Sequence, residues 1–120
     1  MKHDDDREQK RLCADYGAPW MGSPEHLKVG VARNLKSALL PINGLRLVPK
    51  GDTTGWYLWA GQKLPVDPDF FVPLHLEHLD DWRPGLTRYL GLAPGWRFLI
   101  DPEAEHEDVW ADPSLLEEGG

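Results

Sequence analysis

The stretch Gly55-Trp56-Tyr57-Leu58-Trp59-Ala60 decides the fold of this 120-residue sequence. Bulky aromatic and aliphatic residues pack well on a pleated surface, so the stretch predicts a central β-strand. Because side chains alternate along a strand, Trp56 and Leu58 lie on one face while Tyr57 and Trp59 lie on the other. Either helices cover both faces, or one aromatic pair lies open to a partner.

Further strands are predicted on both sides of this stretch. Residues Leu27–Leu35 alternate apolar and polar side chains, which is typical of a half-buried strand. Asn43-Gly44 tolerates the positive φ angles of a tight turn and predicts a hairpin or a bent connection. Trp96–Ile100 predicts a strand, Asp101–His106 an acidic turn, and Glu107–Trp110 the returning arm of a terminal hairpin.

Between these strands the apolar residues change to helical spacing. They recur every three or four residues, at Val72, Leu76, Leu79, Trp82, Leu86 and Leu90. Pro84 breaks this stripe into two short helices, and Gly91 ends the second helix. The order of elements predicts an α+β fold, in which an antiparallel β-sheet has two short helices inserted between its strands.

Length and composition set the domain organisation. A chain of 120 residues fits a single small domain. Residues 1–11 are almost wholly charged or polar, so they predict a disordered leader. The domain is expected over residues 12–116, with a frayed tail at 117–120. Glycine and proline interrupt the stretch from Leu12 to Pro24, which favours a short helix or a loop there.

Charge narrows the classes of partner. The net charge of −7 repels phosphate backbones, which argues against nucleic acid and anionic membrane surfaces as partners. Residues 61–120 hold four basic and thirteen acidic residues, so this half is where a basic partner would bind. Cys13 is the only cysteine, and an internal disulfide is therefore excluded. No apolar secretory segment is present either, and we expect a cytoplasmic protein.

The residues that carry chemistry favour a protein without catalysis. His75 and His78 are close enough in sequence to share a metal on one helical turn, or they belong to an exposed polar face. Asp67 and Asp69 could form a carboxylate pair, but their spacing around Pro68 favours a turn in which aspartates accept backbone N–H bonds. Neither a nucleophile elbow nor a phosphate-binding glycine loop is found. We therefore expect no enzyme activity, no metal and no cofactor, while a hydrolase using the two histidines remains an alternative.

A run of acids is the most unusual electrostatic feature of the sequence. It consists of Asp101, Glu103, Glu105, Glu107 and Asp108. One interpretation is a solvated hairpin tip that keeps the protein soluble. The other is an acidic docking surface, which would steer a basic partner and mimic the phosphates that a nuclease binds.

Several short motifs, in their order and spacing, resemble the immunity protein thirty-three family of bacterial polymorphic toxin systems, formerly a domain of unknown function. They are Thr54-Gly55-Trp56, Gly61, Asp67-Pro68-Asp69-Phe70, Leu79, Tyr89-Leu90, Gly95, Phe98 and the neighbourhood of Trp110. The resemblance covers about half of the chain. It implies a cytoplasmic α+β protein that binds and neutralises one cognate toxin by stoichiometric occlusion, without catalysis or cofactor.

Under this resemblance, the expected toxin is a basic protein such as a nuclease. The contacts that we expect are the acids Asp101, Glu103, Glu105, Glu107 and Asp108, together with Asp80, Asp81 and Trp59. The alternative function is a non-catalytic module in which an exposed aromatic face and Arg97 recognise a small ligand or a peptide.

Overall fold

A computed structural model describes residues 2–63 and 70–117, with side chains from residue 6 onward. In these ranges two α-helices, α1 and α2, and six strands, β1 to β6, are present. The helices are Lys2–Asp15 and Leu79–Trp82. The strands are Lys28–Ala32, Ile42–Arg46, Thr53–Ala60, Phe71–His75, Trp96–Asp101 and His106–Ala111. The predicted α+β class is confirmed.

Within the described residues the strands form one sheet, in the order β4-β1-β3-β2-β5-β6. The predicted strand around Trp56 is β3, and its place between β1 and β2 confirms that it is central. The sheet is mixed and not purely antiparallel, because β1 runs parallel to β3 while the other neighbours are antiparallel. The prediction missed this pair because β2 lies between β1 and β3 in sequence, whereas in space β2 pairs on the far side of β3.

The main core lies on the sheet face that carries Trp56 and Leu58. Leu12 of α1 and Leu79 of α2 pack there, so we call it the helix-covered face. Strand residues that share it are Val29, Val31, Ile42, Trp56, Leu58, Ala60, Phe98 and Ile100. The opposite face, called here the open face, has a smaller buried cluster of Ala32, Leu45 and Trp59. The alternation in β3 therefore divides the aromatic residues between two faces, as the sequence predicts.

Asn43-Gly44 does not form the predicted turn, because both residues lie inside β2. The glycine is needed for close packing instead. A Cβ atom at Gly44 would stand 2.2 Å from the Phe98 ring and 2.9 Å from the Leu58 side chain. The Asn43 side-chain amide donates to the carbonyl of Gly61 at 2.6 Å. The chain reverses later, where the Thr53 amide bonds to the carbonyl of Lys50.

The predicted pair of helices is only partly present. Phe71–His75 is strand β4, and residues 76–90 contain the short helix α2 and 3-10 turns at Leu76–His78 and Thr87–Tyr89. Val72 starts the helical stripe in the sequence, but it pairs with Val31 of β1 in the structure. Residues four apart, such as Val72 and Leu76, lie on the same face of a strand as well as on the same face of a helix. The spacing therefore could not distinguish a strand from a helix at Val72.

Helix α1 occupies most of the segment for which the sequence predicts a disordered leader. Gln9, Leu12 and Cys13 are buried. The Gln9 side-chain amide donates to the carbonyl of Thr87 at 2.9 Å, which ties α1 to the 3-10 turn Thr87–Tyr89. The structure thus differs from the predicted start of the domain at residue 12, because one face of α1 completes the core.

Two further predictions concern chemistry. The pair Asp67 and Asp69 lies outside the described residues, as do residues 118–120 of the tail. His75 and His78 place their ring centroids 6.5 Å apart. Across residues 2–63 and 70–117, histidine, cysteine and carboxylate side chains nowhere gather in threes as a metal site would require.

No helix in these ranges is long and apolar enough to cross a membrane.

Candidate partner-binding surface

The open face presents one row of paired residues across five strands. Pairing places Gly30 of β1 beside Tyr57 of β3, then Leu45 of β2, Arg97 of β5 and Trp110 of β6. Tyr57 is half-buried and Trp110 is 37% exposed. The row thus carries one aromatic side chain on β3 and another at its end, on β6.

A groove of about 630 Å³ lies on this face beside Tyr57. Its apolar lining includes Leu45, Leu47, Tyr57, Phe71, Pro73 and Leu115. A second cavity of about 480 Å³ adjoins it and shares Leu47, Tyr57 and Leu115, while adding Val48 and Leu116. The two cavities together form a continuous depression, which we call the Tyr57 groove, with Leu115 at the boundary between them.

The C-terminal segment reaches the Tyr57 groove through an anchored turn. Asp112 accepts hydrogen bonds from the Ser114 amide and hydroxyl, and its second carboxylate oxygen pairs with Arg97 at 3.3 Å. The Ser114 hydrogen bond and the Arg97 charge lower the pKa of Asp112. Arg97 in turn lies over the Trp110 ring, 5.4 Å from its centroid. These contacts fix Leu115 at the groove.

At the other end of the groove, Lys28 forms an ion pair with Asp52, with Nζ and Oδ2 separated by 2.9 Å. The hydrogen bond from Lys28 lowers the pKa of Asp52, and the lysine charge adds to this shift. Both side chains are accessible to water. The groove therefore has an apolar floor and two lysines at its rim, namely Lys28, which is paired with Asp52, and Lys50.

Trp59 is not available for contact with a partner, although the sequence analysis proposed it. Its exposed fraction is 1%, and its ring meets Phe71 edge-on with 6.3 Å between centroids. Trp59 Nε1 has no acceptor among the described residues. Tyr57, two residues earlier, is the aromatic residue of β3 that lines the groove. The alternation predicted that both would share a face but could not say which of them stays accessible.

The acidic run forms the tip of the β5–β6 hairpin, where Glu103, Glu105 and Asp108 are exposed. Asp101 accepts the backbone amides of Glu103 and Ala104, so it caps the 3-10 turn Pro102–Ala104. Asp108 lies 2.8 Å from His106 Nε2. The pairing places Asp108 beside Leu99, on the open face. Three carboxylates at the tip are therefore exposed to a partner, with Asp108 bonded to His106, while the carboxylate of Asp101 caps the turn.

Glu107 lies on the helix-covered face, and it also has a structural task. Its two carboxylate oxygens accept the hydroxyls of Tyr16 at 2.6 Å and Tyr89 at 2.5 Å. Arg88 is 3.5 Å away. Burial raises the pKa of Glu107, but the two tyrosine hydrogen bonds and the Arg88 charge outweigh it, so the net shift is downward. A residue predicted to contact the partner instead joins β6 to the ends of α1 and of the turn at Tyr89.

Asp80 and Asp81 lie on α2, away from the hairpin tip, and both are exposed. Asp80 lines a small cavity of about 140 Å³ together with Asp6 and Glu77. The sequence analysis grouped these two aspartates with the hairpin acids. The structure separates them, because α2 contributes to the helix-covered side whereas Asp108 belongs to the open face.

The fold and these surfaces define a small α+β protein whose sheet presents a groove and an acidic hairpin tip on one side. The chain belongs to the Imm33-like family, since the model of the Imm33-like domain matches residues 8–112. This confirms the resemblance and extends it from the second half of the chain to α1. A search of curated proteins and a search of solved structures each gave no match.

Proposed function

We propose that this protein neutralises a cognate bacterial toxin in the cytoplasm by binding it one-to-one and occluding its active surface. Membership of the Imm33-like family carries the proposal. Occlusion requires affinity and specificity but no catalysis, and the surface residues described above suit a binding role.

The charge of the hairpin tip supports a basic toxin. Glu103, Glu105 and Asp108 project from one short hairpin, and the whole chain has a net charge of −7. Such a tip attracts a cationic surface at long range and accelerates association. The substrate-binding surface of a nuclease is cationic because it must neutralise phosphates. A nuclease toxin is therefore the partner that we consider first.

The decisive experiment is co-purification with the product of the gene immediately upstream, carrying an inactivating mutation so that it can be expressed. We expect a one-to-one complex that weakens as salt is raised, and rescue of cells that express the active product. Absence of both a complex and rescue would contradict the proposed function for this pair.

Charge reversal at the hairpin tip gives the first testable prediction. The triple variant Glu103→Lys, Glu105→Lys and Asp108→Lys should weaken toxin binding roughly 10- to 100-fold at low salt, mainly through slower association. The dependence of affinity on salt should also become flatter, because the attractive charges are gone. Surface plasmon resonance at several salt concentrations measures both effects.

A matched control is available on the other acidic surface. The triple variant Glu77→Lys, Asp80→Lys and Asp81→Lys changes the charge by the same amount at exposed positions around α2. We expect the control to retain much more of the affinity than the tip variant. If the control loses affinity as strongly as the tip variant, the tip is not the docking site.

The Tyr57 groove favours a second candidate function, a module that binds a small ligand or peptide. Its volume of about 630 Å³ falls within the range of small-molecule sites. Such a module would bind apolar ligands with comparable affinity whether or not the upstream gene product is present. Screening apolar ligands against the protein alone distinguishes this function from immunity.

A further inference from the structure

Asp108 of the acidic tip and Tyr57 of the groove lie on the same face of the sheet, so one partner can contact both features. Resting on the proposed function, we propose that the toxin inserts a large apolar side chain into the Tyr57 groove, from a segment whose flanking basic residues meet the hairpin tip. The tip then determines mainly the association rate of the toxin, and the groove determines mainly its dissociation rate.

Strand pairing places the two features on the same side of the sheet. Asp108 pairs with Leu99, and Leu99 pairs with Asn43 on the open face. Leu45, the next open-face residue of β2, pairs with Tyr57. β6 and β3 are three strand spacings apart, which corresponds to roughly 15 Å across the sheet. The separation along the strands adds to this distance, because the tip lies beyond Asp101 and His106 whereas the groove extends from Tyr57 towards Thr53. A partner that covers about 800 Å² of this protein, the usual share of a stable interface, spans both features.

The groove has the shape and lining of an anchor pocket. Energetic hot spots of protein interfaces are large side chains that fill well-packed apolar pockets, surrounded by a polar rim. Tyr57 and Phe71 meet edge-to-face, with 5.3 Å between their centroids, and form an aromatic wall. The volume of about 630 Å³ accommodates an aromatic or long aliphatic side chain together with part of its neighbours.

Apolar side chains continue beyond the groove on the same surface. Val48 and Leu116, which line its second cavity, are 42% and 47% exposed, and Trp110 of the open-face row is 37% exposed. Grouped exposure of large apolar residues beside charged ones is typical of interaction sites. The rim of the groove carries Lys28 and Lys50, whereas the acidic charge lies further away at the hairpin tip, at Glu103, Glu105 and Asp108. The complementary partner therefore combines an apolar residue for the groove with basic residues that reach the tip.

The test measures the affinity of groove variants for the inactivated product of the upstream gene. Leu115→Gln and Leu47→Gln replace half-buried apolar groups at the boundary of the two cavities by polar ones of similar length. We expect each to raise the Kd at least tenfold through faster dissociation, with the association rate and its salt dependence unchanged. Leu39→Gln is the matched control, because Leu39 is 49% exposed and does not line the groove.

A second measurement compares one variant before and after labelling, so that any effect of losing the Ser114 hydroxyl bond to Asp112 is present in both states. Ser114→Cys places a thiol at the mouth of the groove, where a bulky maleimide can be attached after folding. The native thiol of Cys13 is buried and therefore protected from the reagent. Labelling of Ser114→Cys should abolish or strongly reduce binding. The same label on Ser37→Cys, another exposed serine, should leave the Kd within about twofold.

Four outcomes are distinct. Weakening confined to the groove variants and to labelled Ser114→Cys supports the inference. If the wild-type protein binds the toxin and all of these variants bind equally well, the inference is overturned while the immunity function stands. Equal weakening by the Leu39 or Ser37 control also overturns it, because the loss would not be specific to the groove. Failure of the wild-type protein to bind removes the proposed function and the inference together.

Discussion

Replacement of Arg46 by leucine should lower the free energy of unfolding by about 3 kcal/mol, since a buried carbonyl that loses its donor costs about 1–3 kcal/mol. Arg46 is 1% exposed. Its guanidinium donates to the carbonyls of Thr54 at 2.9 Å, Met21 at 2.6 Å, Leu92 at 2.8 Å and Gly22 at 3.3 Å. The variant removes all four donors at once.

The Arg46 side chain is a buried cation whose partners are carbonyl dipoles. No carboxylate among the described residues forms an ion pair with it, and the Trp56 ring lies 5.7 Å from its guanidinium carbon. Burial lowers the pKa of Arg46 to about 10, so the side chain stays charged at neutral pH. A planar guanidinium can serve several acceptors in fixed directions, which suits a site where three separate segments converge.

Urea unfolding, followed by tryptophan fluorescence, measures the effect of the Arg46 variants. Arg46→Lys retains the charge but not the fork of donors, so it should also lose much of the stability. Arg33→Leu is the matched control, because Arg33 is exposed, and it should change the free energy of unfolding by less than about 0.5 kcal/mol. An Arg46→Leu protein with the wild-type unfolding midpoint would contradict this account.

Sequence reasoning succeeded where one strong local pattern had one structural solution. The aromatic stretch at Trp56 gave the central strand, and Trp96–Ile100 with Glu107–Trp110 gave the terminal hairpin. Here alternation, turn residues and length all agree, so local preference and tertiary structure coincide. Asn43-Gly44 shows the opposite case. Its turn preference lost to packing, because only a glycine leaves room for the Phe98 ring beneath it.

The groove could not be predicted from the sequence, and the reason is physical. It depends on Leu115, which lies next to the predicted end of the domain at residue 116 and lines the groove together with Tyr57 and Phe71 from distant strands. Periodicity assigns a residue to a face, but it does not tell whether that face is filled. Trp59 and Tyr57 share a face, yet only a three-dimensional arrangement distinguishes the buried ring from the accessible one.

Glu107 illustrates how an acidic run conceals different roles. In the sequence it is one of five acids, but its carboxylate joins Tyr16 and Tyr89 while Glu103 and Glu105 remain exposed. Glu107→Gln should lower the free energy of unfolding by about 2–3 kcal/mol, since hydrogen bonds to a charged acceptor contribute about 1.5–3 kcal/mol each and the amide accepts more weakly. Glu103→Gln, on the same hairpin, is the control and should be nearly neutral.

The same substitution should change the pH dependence of stability at both ends. The pKa of Glu107 is lowered in the folded protein, so its contribution is complete above the unfolded value of about 4.3 and disappears as pH falls through the folded value. The hydrogen bond to Glu107 is the main cause that raises the pKa of Tyr16 to about 12. That contribution is complete below the unfolded value of about 10 and is lost as pH rises from there towards 12.

Glu107→Gln should therefore flatten both the acid and the alkaline limbs of the stability profile, whereas Tyr16→Phe should flatten mainly the alkaline one. Thermal unfolding between about pH 3 and pH 11 records both limbs. Glu107→Gln should weaken toxin binding only indirectly, by destabilising the hairpin that carries the acidic tip. The affinity should therefore recover in a stabilising co-solvent such as sucrose. Affinity lost without any loss of stability would instead mean that Glu107 touches the toxin directly, as the sequence alone suggested.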